Sequence, residues 1–296
     1  MMENKDHLAA RKPKNVMVLG GKTGLLGQSL CASLEKAGWT ALPVGRDDVD
    51  LFDTDQMAAF LDRHEPDIIC NTIAYTQVDK AEDEPEEAMR INKQFVAKLG
   101  RLAKPRHIWL VHYSTDFVFD GKSCEPYRPE DAVNPRSVYG KTKLAGENAL
   151  RDLGLDQLSI IRTAWLFGPG RTNFVSKILS LAAQRDCLNV VHDQTGSPTY
   201  TPDLADHTVE LLKVNGQGVF HLVNSGCASW CELASAAVQA MALQCDVHPI
   251  SSDEYPQKAL RPCYSVLNTE SFTALTGVKP RPWLHGLREY VFCHIT

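Results

Sequence analysis

Val16-Met17-Val18-Leu19-Gly20-Gly21-Lys22-Thr23-Gly24-Leu25-Leu26-Gly27 carries a short apolar run straight into a glycine-rich turn, and the helical pattern of residues 29–37 follows at once. Strand, GxxGxxG turn and helix in that order make a cradle for a dinucleotide. In this reading Gly21 makes the tight turn, Gly24 lets backbone approach a pyrophosphate, and Gly27 allows the helix to pack closely on the sheet. Thr23, Leu25 and Leu26 stand at the helix start, where unpaired N–H groups and the positive end of the helix dipole favour phosphate. Two rivals exist. Gly21-Lys22-Thr23 matches the end of GxxxxGK[ST], but the first glycine of that loop would fall at Val16, inside the strand. Chance spacing of glycines is the other, and the flanking strand and helix weigh against it.

Outward from this turn, apolar runs at 16–19, 41–44, 68–70, 108–111 and 158–161 alternate with amphipathic stretches. That alternation predicts an α/β fold with a Rossmann-type, doubly wound parallel sheet. A helix is predicted over 86–103, where Ala88, Ile91, Phe95, Leu99 and Leu102 recur at helical spacing. After Arg162 the pattern loosens into loops bearing Pro and Gly, with helices near 204–213, 230–241 and 284–291. The expected division is a flexible tail at 1–14, a dinucleotide-binding domain at 15–165, and a smaller C-terminal substrate-binding lobe at 166–296 interleaved with the last sheet strands.

With 296 residues, 44% hydrophobic and 23% charged, the chain has the composition of a soluble globular protein. A net charge of −5 shows none of the basic excess that a phosphate-backbone binder carries, which argues against nucleic acid as a partner. No run reaches the roughly 20 apolar residues of a membrane span. Residues 1–15 are charged and lack the apolar stretch of a signal peptide, so they read as a loose tail. Nine cysteines without a CxxC pair read as reduced thiols of a cytoplasmic enzyme. Cys227 and Cys231 could share a helix face, but further ligands are dispersed, and no metal is expected.

At the end of the second strand, where an NAD-preferring fold usually places an acid for the ribose 2′-hydroxyl, the chain reads Pro43-Val44-Gly45-Arg46-Asp47. Arg46 suits a 2′-phosphate, which favours NADPH over NADH. A solvated arginine neutralised by Asp47 and Asp48 is the plainer alternative. Asp50 and Leu51 are assigned to the adenine, against an ordinary turn.

Tyr139-Gly140-Lys141-Thr142-Lys143 sets a phenol and an ammonium four residues apart on one helix face. A phenol titrates near 10 and is a poor acid–base group at neutral pH unless a cation stabilises its phenolate. A unit charge about 4 Å away at an effective dielectric of about 20 contributes on the order of 4 kcal/mol, or about three pK units, which would bring Tyr139 close to neutrality. YxxxK alone is common on surface helices. What supports it is His112-Tyr113-Ser114-Thr115-Asp116, directly after the fourth strand, at a carboxyl end where ligands sit in open α/β sheets. A hydroxyl there, Thr115 first and Ser114 next, can hydrogen-bond a substrate carbonyl while Tyr139 protonates it.

Thr115, Tyr139 and Lys143 match the catalytic Ser/Thr, Tyr and Lys of the extended short-chain dehydrogenase/reductases, which the chain resembles. Six blocks resemble the dTDP-4-dehydrorhamnose reductases within that group: 71–82, 114–121, 138–147, Arg162-Thr163-Ala164-Trp165, 193–199 and Arg261-Pro262. The resemblance implies reduction of a dTDP-linked 4-keto-6-deoxy sugar, with hydride from NADPH or NADH. It places Ala74 and Tyr75 by the nicotinamide ribose, and Thr76, Val78, Phe117 and Trp165 by the substrate. Arg261 would meet the diphosphate. For each a bland reading stands beside it: loop packing, a core tryptophan, a surface salt bridge. Three departures are visible, Gly20 ahead of the glycine motif, Thr72-Ile73 in place of two small residues, and Phe117 in place of tyrosine. The last puts the sugar in doubt more than the reaction. Alternatives are another nucleotide-linked 4-keto sugar and a non-catalytic regulatory subunit resembling that of methionine adenosyltransferase. The resemblance also allows a homodimer and leaves open a divalent ion between subunits.

Overall fold

A computed structural model describes residues 14–295, so the expected tail lies outside the described residues except for Lys14, which pairs with Asp67 at 3.8 Å. The five expected strands are β1 (Asn15–Leu19), β2 (Thr40–Val44), β3 (Ile68–Asn71), β4 (Trp109–Thr115) and β5 (Leu158–Thr163). Short strands β6 (Leu166–Phe167), β7 (Cys187–Val191), β8 (Thr195–Gly196) and β9 (Thr199–Tyr200) precede β10 (Gly218–His221), the sixth strand of the main sheet. The sheet runs β10-β5-β4-β3-β1-β2 and every pairing in it is parallel. From β1 the chain goes outward to β2 and then returns to β3 on the other side, so the order reverses between β1 and β3. In open α/β sheets the crevice at the carboxyl ends beside such a reversal is the ligand site.

Helices cover both faces. Val16 and Val18 face one cluster and Met17 and Leu19 the other, all four fully buried, which is why the strand reads as a continuous apolar run. The first face is covered by α1 (Leu25–Lys36) together with a helix from the second half of the chain, Thr201–Lys213, which contributes Leu204, Val209 and Leu212. On the other face, α2 (Thr54–His64) presents Met57 and Leu61. After α3 (Val78–Ala81) the predicted helix over 86–103 begins as α4 (Pro85–Met89) and ends as α5 (Val96–Ala103), but a π-helical segment, Arg90–Phe95, separates them. Periodicity cannot reveal this, because the extra residue of a π turn shifts the helical phase by one position while both flanks stay amphipathic.

Beyond the sheet, α6 (Val138–Asp152), α7 (Phe174–Ala182), α8 (Thr201–Lys213), α9 (Trp230–Ala240), α10 (Glu270–Thr276) and α11 (Trp283–His294) complete the chain, with β11 (Ala228–Ser229) on β8 and β12 (Asp246–Ile250) on β7. A second core joins α7, α9 and α11 through Val175, Leu179, Leu233, Ala237, Leu287 and Val291. Cys227 lies ahead of α9 while Cys231 lies within it, so the two do not share a helix face. Among the described residues, no group of three His, Cys, Asp or Glu side chains could hold a metal, and no helix is long and apolar enough to cross a membrane.

Candidate active site

The glycine turn is built one residue earlier than expected. Gly20, not Gly21, takes the left-handed conformation (φ +85°), and its N–H donates to the Val44 carbonyl at 2.9 Å. A Cβ at Gly20 would meet the Thr72 hydroxyl at 2.7 Å, so the residue noted as a family departure is the one the backbone requires. Gly27 packs against the Gly20 carbonyl with no room for a side chain. Gly24 caps α1 without any side-chain acceptor, leaving the first N–H groups of the helix available to an anion. Lys22, the lysine of the rival phosphate-loop reading, is tied to Asp48 at 2.5 Å. That pairing occupies one of the two acids expected to neutralise Arg46, which is exposed on the same turn after β2. Asp50 is exposed and accepts from the Phe52 N–H at 2.9 Å; Leu51 is a core residue grouped with Met57 and Leu61, better placed for packing than for an adenine.

Thr115 ends β4 and Tyr139 opens α6. Ser137 caps that helix, accepting from the Gly140 N–H at 3.1 Å, and Glu82 accepts from the Val138 N–H at 2.8 Å. At Gly146 a Cβ would overlap the Asn92 carbonyl of the π segment, so α6 lies flush against it. The Asn92 amide reaches both sides of the site: its oxygen accepts from Tyr75 N–H at 2.9 Å and its nitrogen donates to the Thr142 hydroxyl at 3.0 Å. A π-bulge with a buried amide at this point is a common mark of a functional site.

The two hydroxyls differ in their partners. Ser114 donates to Glu147 at 2.5 Å, and Glu147 is held by the Arg162 fork at 3.0 and 2.8 Å, all three fully or nearly buried. Ser114 therefore belongs to a network that ties α6 to β4 and β5. Thr115 lies close enough to the Tyr139 phenol to favour its ionised form against the burial that opposes it. Its hydroxyl also donates to Asp116 at 3.0 Å, and Ser265 donates to the other Asp116 oxygen at 2.5 Å. Burial pushes Asp116 up to about 6 against those two bonds.

The expected pairing of Lys143 with the phenolate is not what the side chains make. Lys143 donates to the Tyr113 carbonyl at 2.5 Å and faces His112 Nε2 at 3.5 Å. Burial pulls it down to about 8, with Glu147 opposing. Tyr139 is pushed up to about 12 by burial and by Asp116, with only the Thr115 bond acting the other way. Burial and Asp116 both favour the neutral phenol over the phenolate.

Tyr75, Val78 and Phe117 pack in one cluster with Tyr139, the Phe117 ring edge-on to the phenol at 5.5 Å. Tyr75 donates its hydroxyl to Glu84 at 2.8 Å, while Ala74 is half-buried and Thr76 exposed in the loop between β3 and α3. Trp165 has φ +48°, a conformation costing about 1–3 kcal/mol for a residue with a Cβ, and stacks on Trp230 at 3.5 Å. Arg261 is engaged by Asp79 through two bonds, 2.9 and 2.6 Å, so the salt-bridge reading describes its contacts. That pair holds the C-terminal segment to α3 and keeps the Asp79 carboxyl down at about 2. Asn92, His112, Asp116 and Glu147 had no role in the sequence reading; the last three stand inside or beside the quoted blocks, but their roles come from buried pairing.

The profile of the RmlD substrate binding domain family matches residues 14–293. The chain belongs to that family. A dTDP-4-dehydrorhamnose reductase of Salmonella typhimurium is 38% identical, with 86% of this chain and 90% of that protein covered. A dTDP-4-keto-6-deoxy-D-glucose reductase of Streptomyces niveus is 37% identical, covering 91% and 94%. Among solved structures, the dTDP-4-dehydrorhamnose reductase of Bacillus anthracis in complex with NADP superposes with a TM-score of 0.90 at 30% identity, covering 95% of this chain and 99% of that one. The match thus spans the glycine turn, Trp165 and Arg261.

Proposed function

We propose that this protein reduces the 4-keto group of dTDP-4-dehydro-6-deoxy-L-mannose to give dTDP-L-rhamnose, as a cytoplasmic enzyme using NADPH. The observation that carries the reading is the buried Tyr139 phenol beside Thr115, at the carboxyl end of β4 and next to the reversal of strand order. NADPH fits the residues present: Gly20, Gly21 and Gly24 bring backbone without side chains to the turn, α1 offers uncapped N–H groups for the pyrophosphate, and Arg46 is exposed on the turn after β2, suited to a 2′-phosphate. When bound, it supplies the hydride that reduces the carbonyl carbon.

Tyr139 then gives its proton to the carbonyl oxygen as that oxygen takes the electron pair of the C=O bond. Burial keeps the proton on the phenol until substrate is present, while raising its pKa works against the transfer itself. Thr115, whose neighbourhood favours the phenolate, steadies Tyr139 as the proton leaves. Residues 15–165 are assigned to the cofactor and 166–296 to the sugar nucleotide, with Val78, Phe117 and Trp165 bordering the sugar.

A second reading rests on the Streptomyces niveus relative, whose name specifies a different 4-keto sugar at nearly the same identity. Following NADPH absorbance with dTDP-, GDP-, UDP- and CDP-linked 4-keto-6-deoxy sugars tests both. The expected result is turnover of the L-configured dTDP sugar with a rhamnose product by NMR. Turnover of the D-configured sugar alone would establish the second reading, and no oxidation of NADPH with any of them would overturn the assignment.

A further inference from the structure

Lys143 lies at the end of a chain of hydrogen bonds that starts on another strand. Asn71, the last residue of β3, accepts the Ile73 N–H on its Oδ1 at 3.1 Å. That contact orients the amide, because a backbone N–H can only donate and must face the oxygen. The Asn71 NH2 group is left facing His112 Nδ1 at 3.2 Å. Nδ1 therefore accepts, and a neutral imidazole in this position carries its proton on Nε2. His112 is fully buried, which favours the neutral ring. Its Nε2–H then points at Lys143 Nζ, 3.5 Å away. Against an ammonium this is hydrogen facing hydrogen; against a neutral amine it is a donor facing a lone pair.

We propose that Asn71 and His112 are positioning residues that hold the imidazole proton on Nε2 and thereby favour the amine form of Lys143, making the positive charge near Tyr139 conditional. The inference rests on the reading of Lys143 as part of the active site, but its geometry does not. The other groups around Lys143 are accounted for. Glu147, one turn along α6, favours the ammonium, but its carboxylate is shared among Ser114 of β4, Arg162 of β5 and Arg151 of α6. The Tyr113 carbonyl of β4 accepts from Lys143 in either form. The π segment meets α6 through the Asn92 carbonyl at Gly146, and Asp116 faces Thr115 and Ser265. Burial already lowers Lys143 to about 8. A lysine in that range exchanges its proton at physiological pH, whereas an ordinary one does not.

The test is NMR on the full chain with labelled histidine and lysine, assigned through His112→Gln and Lys143→Met. The His112 ring is expected to keep Nδ1 unprotonated from about pH 6 to pH 9, with Lys143 titrating below the other lysines. In Asn71→Asp the new carboxylate accepts from Nδ1–H, so the proton moves off Nε2 and the Lys143 midpoint rises by about one unit or more. If that variant fails to fold, His112→Gln serves, because its amide can turn an oxygen toward Nζ and raise the midpoint likewise. A proton on Nδ1 in the unmodified chain, or a Lys143 midpoint unmoved by the folded variant, would overturn the proposal. Turnover of Lys143→Met reports separately: if it stays near the unmodified rate, the catalytic reading of Lys143 falls while the tautomer result stands.

Discussion

Tyr139 is 8% exposed, and both its burial and the nearby Asp116 carboxyl oppose a phenolate. Removing only the hydroxyl leaves the ring packing of the Tyr75 and Phe117 cluster in place. Tyr139→Phe is therefore expected to lower turnover by roughly 100-fold or more while NADPH affinity and melting temperature stay near those of the unmodified chain, since proton transfer typically contributes 10²- to 10⁴-fold. Near-normal turnover would remove Tyr139 from the mechanism. Asp116 gives a prediction about stability. Its folded value, about 6, lies above the ordinary 3.8, so the folded state binds the extra proton between those limits. Stability from this group is greatest below 3.8 and is lost as pH rises through about 6, by on the order of 3 kcal/mol. Denaturant unfolding across that range should show the fall, and Asp116→Asn should flatten it; an unchanged slope would mean that the carboxyl is ionised in the folded protein at no cost.

The site is assembled by fitting one helix against an irregular one. Because a Cβ at Gly146 would overlap the Asn92 carbonyl, Gly146→Ala must push α6 away from the π segment. Overpacking of this kind costs about 1–3 kcal/mol, seen as a lower melting temperature. Turnover should fall further than a mere loss of stability explains, because α6 carries both Tyr139 and Lys143; full activity below the melting point would show that the fit is only structural. Much of this level was legible beforehand. Strands β1, β3, β4 and β5 announce themselves as apolar runs because both faces are covered, and the spacing from Tyr139 to Lys143 places both on α6. The π segment was not legible, since hydrophobic periodicity on either side of it is intact. Nor was β10, four residues beginning with Gly218, too short to stand out from the loops around it. His112, Asp116 and Glu147 acquire much of their role through partners distant in sequence, such as Arg162 for Glu147 and Ser265 for Asp116. The turn was placed at Gly21 because a pattern of glycines does not say which one takes positive φ.

Across the whole molecule, the division at residue 165 does not divide the core. One cluster combines Val16, Leu30 and Val111 from the first part with Leu204, Leu212, Phe220 and Phe272 from the second. Helix α8 covers the same sheet face as α1, and β10 closes the edge beside β5. Outside the core, Arg261 and Asp79 pin the C-terminal segment to α3. A ligand that binds the glycine turn should therefore stabilise the chain as one unit. NADPH at about 100 times its Kd adds on the order of 3 kcal/mol to any structure that must unfold to release it. The tryptophans allow the two parts to be read separately: Trp39, Trp109 and Trp165 lie in the first, Trp230 and Trp283 in the second. With single-tryptophan variants that retain either Trp109 or Trp230, thermal unfolding is expected to give one common midpoint, raised equally by NADPH on both probes. Residues 14–165 expressed alone should lack a cooperative transition, because Val16 and Val111 would face solvent where Leu204 and Phe220 now pack. A Trp230 signal that melts on its own, unmoved by NADPH, would show that the C-terminal lobe is energetically separate and that the shared core couples less than its packing indicates.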